Sequence, residues 1–258
     1  MSGTVLIDAD MIVHLLASAS SRAYDWGNGK TVTVTNERTA QRRADDMVAD
    51  IQRNTECGRA ILCLSEPVQE ANWRRGVLPT YKANRGDSKP KGFWRLRDYL
   101  ERKFITRQTH SLEADDLLGI LMTAKKALTG RRVCASQDKD LLTVPGLHYQ
   151  WTPTATTGHK AGVHKVGRAE ALRRFMLQIL TGDPVDGYTG IPGIGPKKAE
   201  KILGDCTTAR QYWRAIVEAY DAAGLTEEDA LVQARVARIL QAGEYNPQTG
   251  VKLWTPPK

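Results

Sequence analysis

Short, continuous apolar runs alternate with helical segments in the N-terminal part of the chain, and this alternation constrains the fold most. The runs 4–7, 60–64 and 131–135 have the length and composition of strands buried on both faces. The run 147–151 is predicted to be a fourth strand. Because helices are predicted between the strands, we expect an α/β fold with a central, mostly parallel sheet and flanking helices.

A long connection interrupts this alternation between the second strand and a helix predicted near residue 113. It covers about residues 66–111, contains one predicted helix at 92–103, and is far longer than most connections, which favours a functional role. After about residue 180 the pattern becomes helical. We therefore predict an α/β domain at 1–180 with an insertion at about 66–111, and a helical region at 181–258.

The charge of the chain is unevenly distributed. The formal net charge is +8, and between Trp73 and Arg107 eleven Lys or Arg residues stand against three acidic residues. Aromatic residues such as Tyr81, Phe93 and Trp94 are interleaved with these cations, a mixture suited to phosphate backbones and exposed bases. The alternative is a solvated basic surface whose aromatic residues point into a core, and it accounts well for Phe93.

Several classes of protein are not favoured by the sequence. No run approaches the length of a membrane span and no basic region precedes an apolar signal core, so a cytoplasmic protein with no membrane partner is expected. The four cysteines and five histidines show no metal-ligand spacing, which argues against a zinc site. No heptad seam is present, and a monomer is expected.

Carboxylates follow two of the predicted strands. Asp8 comes directly after the first strand, and Asp138 and Asp140 come just after the third. Ligands of open parallel sheets bind beyond the carboxyl ends of the strands, so we expect these side chains on one edge.

Two further acidic segments could reach the same edge. Glu113 and Asp116 lie three residues apart and share a helix face, and Asp183 and Asp186 have the same spacing. Acidic residues in a first helical turn also favour the helix dipole, so helix capping is the alternative explanation for the segment 113–116.

So many carboxylates close together would repel one another and raise some of their pKa values unless cations neutralise them. Oxygen ligands favour Mg²⁺ or Mn²⁺ over zinc. Two such ions could activate a water and stabilise the leaving oxygen of a phosphodiester. The sequence therefore predicts a site for two divalent ions.

The run 190–199 is the most specific motif. Gly193 and Gly195 permit a tight turn, Pro196 suits a first helical position, and the next helix would direct its N–H groups at an anion beside Lys197 and Lys198. This pattern predicts a helix-hairpin-helix that holds nucleic acid by its phosphates. The alternative is a compact turn between two packed helices with a solvated Lys pair.

Taken together, these segments resemble the flap endonuclease and 5′→3′ exonuclease family, which includes the nuclease domain of bacterial DNA polymerase I. The chain most resembles the compact exonucleases of tailed phages. The resemblance runs from about residue 4 to 240, and its blocks follow the family order. The blocks are Leu6-Ile7-Asp8, Tyr81-Lys82-Ala83-Asn84-Arg85, Glu113-Ala114-Asp115-Asp116, Asp138-Lys139-Asp140, and Gly182-Asp183 through the Gly193 and Gly195 hairpin.

The resemblance implies roles for the acidic residues and for the insertion. The insertion would be an arch under which a free 5′ strand passes. The tighter metal site would comprise Asp8, Glu113, Asp115 and Asp116, with Asp138 and Asp140 between the ions and Asp183 and Asp186 on the second ion.

The resemblance also implies roles for basic and aromatic residues. Lys82 and Arg85 would hold the scissile phosphate and, with Asp116 and Asp138, are the expected catalytic residues. Tyr81 would stack on the terminal base pair. Nucleic-acid contacts are further expected from Arg74 and from the hairpin residues Gly193, Gly195, Lys197 and Lys198.

One segment departs from the family pattern, which usually has an Asp at the end of the second strand. This chain has Leu64-Ser65-Glu66 there. Either Glu66 reaches the first metal ion with its longer side chain, or water replaces the missing ligand.

The resulting expectation is a metal-dependent nuclease acting near 5′ ends of duplex or flapped DNA and of RNA–DNA hybrids. A single-strand RNA-cleaving metal nuclease of related fold is one alternative, although the hairpin and the basic insertion argue against it. A catalytically silent DNA-binding clamp is the other, and it is favoured only if Ser65 has cost the site its metal.

Overall fold

The computed structural model describes residues 3–25, 31–86, 88–124, 128–152 and 160–257. A six-stranded sheet forms the centre of the α/β part. Its strands lie in the order β5-β4-β1-β6-β7-β8, and all are parallel except β8, which pairs antiparallel with β7. The strands of this sheet are β1 (Gly3–Asp8), β4 (Arg59–Cys63), β5 (Thr106–Arg107), β6 (Arg131–Ala135), β7 (Gly146–Gln150) and β8 (Gly162–Val166).

Two small hairpins supplement the sheet. One joins β2 (Ser21–Asp25) to β3 (Thr31–Thr35), and the other joins β9 (Tyr245–Asn246) to β10 (Gly250–Val251). The sequence predicts the first hairpin, whose Gly27-Asn28-Gly29 turn lies outside the described residues. The second was not predicted, because its strands are only two residues long.

Helices flank the sheet and form the C-terminal region. They are α1 (Ala9–Ala19), α2 (Glu37–Thr55), α3 (Arg74–Val77), α4 (Phe93–Lys103), α5 (Ala114–Thr123), α6 (Arg168–Thr181), α7 (Pro196–Leu203), α8 (Ala209–Ala222) and α9 (Glu227–Ala237). The predicted α/β fold with a mostly parallel sheet and flanking helices is confirmed.

Apolar side chains form a core on each face of the sheet and a third core among the C-terminal helices. One sheet face packs against α1, α2 and α4, and the opposite face packs against α5. The third core is built from α6 to α9, so α6 packs with the helical region although it begins at Arg168, well before residue 180. The domain boundary near 180 stays a prediction.

The insertion at 66–111 connects β4 to α5 and contains α3, α4 and β5. Helix α4 matches the predicted helix, whereas β5 was not predicted because two residues carry no periodicity. Since β5 is parallel to β4 and follows α4, the end of α4 lies toward the start of the strands and its beginning lies toward their carboxyl ends. The insertion thus stands on the edge where the acidic residues are expected.

Candidate active site

Asp8 ends β1 and at the same time caps α1. Its carboxylate accepts hydrogen bonds from the Met11 N–H at 3.2 Å and from the Ser136 hydroxyl at 2.8 Å, and the residue is 5% exposed. Burial, followed by the charge of Asp10, raises the pKa of Asp8 to about 7. Asp8 is thus a buried carboxylate held by two hydrogen bonds at the carboxyl edge of the sheet.

Asp138 and Asp140 follow β6 at the same edge. The Asp138 N–H donates to the Ser136 hydroxyl at 3.0 Å, and the Asp138 carboxylate accepts the Asp140 N–H at 2.8 Å. Burial raises the pKa of Asp138. Burial, followed by the charge of Asp138, raises the pKa of Asp140 to about 7.

The first turn of α5 brings the third acidic segment to this edge. Glu113 is the N-cap and forms a reciprocal capping box with Asp116. Helix capping, the alternative explanation for the segment 113–116, therefore applies to these two residues. Capping does not account for Asp115. Burial, followed by the charges of Asp138 and Asp8, raises the pKa of Asp115 well above its usual range, which links it electrostatically to both strand ends.

Lys82 brings a positive charge to the acidic edge, which is the carboxyl edge of the sheet with Asp8, Asp115, Asp138 and Asp140. Its backbone has a left-handed φ of 53°, and its N–H donates to the Asp186 carbonyl at 2.8 Å. The ammonium contacts the Glu113 carboxylate and lies 3.5 Å from that of Asp186. Burial acts to raise the pKa of Glu113, but Lys82 and Arg74 outweigh it and lower that pKa to about 2.

The loop 183–189 carries the fourth acidic pair, closed at its base by two glycines. Gly182 has a φ of 64°, and a Cβ there would lie 2.4 Å from the nitrogen of Gly190, so a larger residue would open the loop. Asp183 accepts the Val185 N–H at 2.9 Å and lies 3.3 Å from the Lys139 ammonium. Asp186 pairs with Lys82 and with Arg85, which is half exposed.

Arg74 is 2% exposed, so it offers no free surface for nucleic acid, and its predicted nucleic-acid role stays a prediction. Its guanidinium donates to the two oxygens of Asp116 at 2.7 and 2.8 Å and to Glu113 at 2.9 Å. It also donates to the carbonyls of Val236 and Arg238, at 2.9 and 2.7 Å. Arg74 therefore ties the acidic helix to the end of α9.

The predicted catalytic and metal roles of Asp116 do not fit its surroundings either. Asp116 is fully buried, and besides Arg74 it accepts the Trp73 indole N–H at 2.9 Å and the Leu240 N–H at 3.2 Å. Its oxygens are thus occupied by protein donors, and we assign it to folding.

Tyr81 is likewise buried, at 3% exposure, so its ring presents no free face, and its stacking on a base pair stays a prediction. Its hydroxyl lies 3.0 Å from Glu113 and 3.2 Å from Asp186, and its ring stacks near Tyr188. Tyr81 joins the acidic helix to the loop that carries Asp186.

Ser65 and Glu66, at the departure from the family pattern, have separate surroundings. The Ser65 hydroxyl accepts the Ala114 N–H at 2.8 Å, and its own N–H donates to Asp10 at 3.0 Å. The Glu66 carboxylate lies 3.1 Å from the His110 ring and 3.3 Å from the Val68 nitrogen. Whether Glu66 or water serves as a metal ligand stays a prediction.

The glycine motif lies apart from the acidic residues, at the start of α7. Gly193 has a φ of 78°, Gly195 is the N-cap, and Pro196 opens the helix. Lys197 and Lys198 are exposed, and the Lys198 ammonium donates to the Gly193 carbonyl at 3.0 Å. Their contact with nucleic acid stays a prediction.

The carboxylate oxygens are the ligand type that divalent cations prefer, but they do not form a complete ligand set by themselves. In the described ranges, no three Asp, Glu, His or Cys side chains are grouped closely enough to hold a metal ion by themselves. Mg²⁺ keeps several waters and uses few carboxylates, so such an edge is compatible with it. Burial first, and neighbouring carboxylates second, raise the pKa values of Asp8, Asp115 and Asp140, and a bound cation would oppose both effects.

Sequence reasoning missed three residues that organise this edge. Asp10 accepts the Ser65 N–H and lies 3.4 Å from Arg97, while Ser136 links Asp8 to Asp138. The sequence signals were available for two of them, since Asp10 lies two residues beyond Asp8 and Ser136 directly follows β6. Arg97 gave no signal, because its burial depends on the packing of α4.

Comparisons with known proteins agree on one class, the 5′-nucleases, although no family model matches the chain. An exodeoxyribonuclease of enterobacteria phage T3 is 26% identical over 98% of this chain and 93% of its own length. An exonuclease of Escherichia phage T7 is 27% identical over 98% and 94%. The flap endonuclease Xni of Shewanella amazonensis is 31% identical over 51% of this chain and 54% of its own.

Solved structures share the fold. The T5 D15 protein crystallised with metal ions superposes with a TM-score of 0.65 at 14% identity, over 91% of this chain and 89% of that one. A T5 D15 flap endonuclease complex with DNA and metal ions gives 0.59 at 15% identity, over 91% and 93%. These relatives and the shared fold support the predicted resemblance to the flap endonuclease and 5′→3′ exonuclease family.

No described helix is both long enough and apolar enough to span a bilayer.

Proposed function

We propose that this chain is a 5′→3′ exonuclease and flap endonuclease that uses two divalent ions, Mg²⁺ or Mn²⁺, to hydrolyse phosphodiesters near 5′ ends of DNA. The single observation that carries the proposal is a group of buried or half-buried carboxylates at the carboxyl edge of the sheet, for which the described residues provide no ion pair. This group consists of Asp8, Asp115, Asp138 and Asp140. Bound ions of this kind supply an activated water and stabilise the leaving oxygen.

The residues of the chain divide the remaining work. Ser136 holds Asp8 and Asp138 in place, so that two strand ends present their carboxylates together. Lys82 and Arg85 lie beside Asp186 at this edge and are positioned to attract a phosphate oxygen. Lys197 and Lys198 add an exposed positive charge at the start of α7 for the duplex backbone.

The proposed substrates include RNA–DNA hybrids as well as flapped and nicked DNA, because the contacts that we assign are to phosphates rather than to base edges. We propose that the protein acts as a monomer. A DNA substrate would place the activity in the cytoplasm of a bacterial cell, which would be the host if the chain is phage-encoded.

Cleavage of 5′-labelled flap, nicked, blunt and hybrid substrates tests the proposal. With Mg²⁺ or Mn²⁺ we expect short labelled products, and with chelator no product. Asp138→Ala should abolish cleavage while Asp98→Ala, a change at an exposed acid of α4, should not. Equal rates for the parent and Asp138→Ala would refute a nuclease site at this edge, and tight DNA binding without cleavage would favour a silent clamp.

The role of Lys82 can be tested separately. Lys82→Ala should reduce kcat more than it weakens substrate binding, because a phosphate clamp acts most strongly on the charge that develops during reaction. Single-turnover rates and equilibrium binding measure the two effects. A loss in binding alone would remove Lys82 from the reacting phosphate.

A further inference from the structure

Trp94 is an exposed aromatic residue in the first turn of α4. It is 47% exposed, and its ring meets that of Phe93 edge-on, with centroids 5.1 Å apart and planes at 82°. Phe93 itself is buried in the core below. Single exposed apolar residues are common and by themselves need no explanation, so the position of Trp94 and the charges around it decide whether it has a role.

The helix places Trp94 above the acidic edge. Trp94 and Arg97 lie three residues apart and so share a face of α4. Arg97 is 4% exposed, and its guanidinium donates to the Ser65 carbonyl beyond β4 at 2.8 Å and lies 3.4 Å from Asp10. Trp94 lies about 4.5 Å nearer the start of α4 than Arg97 does, measured along the helix axis. Because the start of α4 points away from the strands at this edge, Trp94 lies on the solvent side of the edge.

The start of α4 is held firmly by the hairpin of β2 and β3. Gly92 has a φ of 85°, and a Cβ there would lie 2.8 Å from the Thr35 methyl group. The Thr35 hydroxyl donates to the Lys91 carbonyl at 2.9 Å, and the Phe93 N–H donates to the Pro90 carbonyl at 3.0 Å. The indole is therefore presented from a fixed helix end, which lowers the entropy lost when a ligand stacks on it.

The charges around Trp94 favour an anionic partner. Lys89, Lys91 and Arg95 are all exposed on the same stretch of chain. The acids Glu101 and Glu37 are each paired with an Arg, and Asp98 is exposed without an ion pair among the described residues. Arg95 is the partner of Glu37, whereas Lys89 and Lys91 have no ion pair among the described residues. Exposed aromatic surface beside such cations matches the combination that binds bases and phosphates of a single strand.

We propose that Trp94 stacks on a base of single-stranded nucleic acid that crosses the acidic edge. The proposal rests on the proposed function, which brings a strand with a free 5′ end to this edge. The stacking would hold that strand against α4 while its phosphate lies among the carboxylates and Lys82. A protein partner on the same face is the competing outcome.

Fluorescence and binding measured without cleavage test this proposal. The chain has 6 tryptophans, so the signal of Trp94 is obtained by comparing the parent with Trp94→Phe. In chelator, a 20-nucleotide oligothymidine should quench the parent more than Trp94→Phe. Trp94→Ala should weaken binding of that strand by roughly 5- to 150-fold, the range for one lost base stack, and Trp94→Phe should weaken it less.

Ile105→Ala is the matched control, because Ile105 is 45% exposed but lies just beyond the other end of α4. It should bind the oligonucleotide like the parent. Blunt duplex binding and thermal unfolding should be unchanged in all three variants. Unchanged oligonucleotide binding by Trp94→Ala, or an equal loss on blunt duplex, would overturn the stacking proposal and leave the face to a protein partner or to folding.

The failure of this proposal is distinguishable from failure of the proposed function. If Trp94→Ala cleaves flaps with the KM and kcat of the parent, stacking is refuted while the nuclease stands. If the parent cleaves no substrate with Mg²⁺ or Mn²⁺, the proposed function fails, and the quenching difference in chelator still decides whether Trp94 contacts a single strand.

Discussion

Two groups of carboxylates meet at the acidic edge, and they differ in how their charge is balanced. The paired group is neutralised by buried or half-buried cations, whereas the unpaired group has no ion pair within 4.0 Å in the described part of the chain. The paired group is Glu113, Asp116 and Asp186, with Arg74, Lys82 and Arg85 as partners. The unpaired group is Asp8, Asp115, Asp138 and Asp140.

Acidic residues of one motif can therefore serve opposite purposes. Within Glu113-Ala114-Asp115-Asp116, Asp116 accepts four protein N–H donors from distant segments, while Asp115 is half-buried beside the like charges of Asp138 and Asp8. A buried, paired carboxylate holds structure together. A buried, unpaired one is costly unless a cation arrives, which is the expected property of a metal site.

The largest expected effect is on catalysis by the unpaired group. Asp115→Asn should reduce the cleavage rate by about 10³-fold or more, because a metal ion contributes several kcal/mol of transition-state stabilisation. In chelator the same variant should unfold at a higher temperature than the parent, since like-charge repulsion is removed. A rate within a factor of about ten of the parent, or a lower unfolding temperature, would place Asp115 in the paired group instead.

The next effect is on stability through the paired group. Asp116→Ala should lower the free energy of unfolding by about 3–5 kcal/mol, because Arg74 is left as a buried charge without its partner. Urea denaturation with Asp98→Ala as the exposed control measures this. A loss no larger than that of the control would show that the Arg74 network does not stabilise the fold.

The two groups should also respond oppositely to pH in the absence of metal. The pKa of Asp8 and Asp140 is raised from 3.8 to about 7, so the folded protein holds protons that the unfolded chain releases. Their contribution is full below about pH 4 and is lost as the pH rises through 7. The pKa of Glu113 is lowered from 4.5 to about 2, so its contribution is present above 4.5 and is lost as the pH falls through 2.

Unfolding free energies measured in chelator from pH 4 to 8 test the contribution of Asp8 and Asp140. The parent should lose stability across that range, and the Asp8→Asn, Asp140→Asn double variant should lose less. Added Mg²⁺ should flatten the slope for the parent. A slope that the double variant leaves unchanged would mean that the unpaired group does not control it.

Positions that follow from a local sequence pattern could be predicted, whereas contacts between side chains far apart in the chain could not. Asp8, Asp138 and Asp140 were placed correctly at the edge, because each follows a strand of strong apolar pattern and parallel strands share a carboxyl edge. Glu113 could be placed from its local helix signal.

The burial of Arg74, Tyr81 and Asp116 could not be predicted in the same way. Arg74 meets Asp116 across 42 residues and the Val236 carbonyl across 162, and no local pattern encodes such pairings. A basic and aromatic segment that precedes Lys82 and Arg85 suggests an exposed surface for nucleic acid, but here α9 covers Arg74. Arg97 was missed for the same reason.

The smallest expected effect lies outside both groups, in the glycine motif. The double change Lys197→Ala, Lys198→Ala should leave the chemical step unchanged and weaken duplex binding. The slope of log K against log salt should fall by about 1.8, corresponding to two phosphate contacts. An unchanged slope would remove the start of α7 from the DNA interface.

The most direct test of the division is a calorimetric titration of Mn²⁺ into Asp116→Asn and Asp138→Asn, each first shown to be folded by circular dichroism. We expect Asp116→Asn to bind the ions with the stoichiometry of the parent and Asp138→Asn to lose at least one ion. Loss of metal binding in Asp116→Asn, together with its retention in Asp138→Asn, would refute this division and return Asp116 to the metal site.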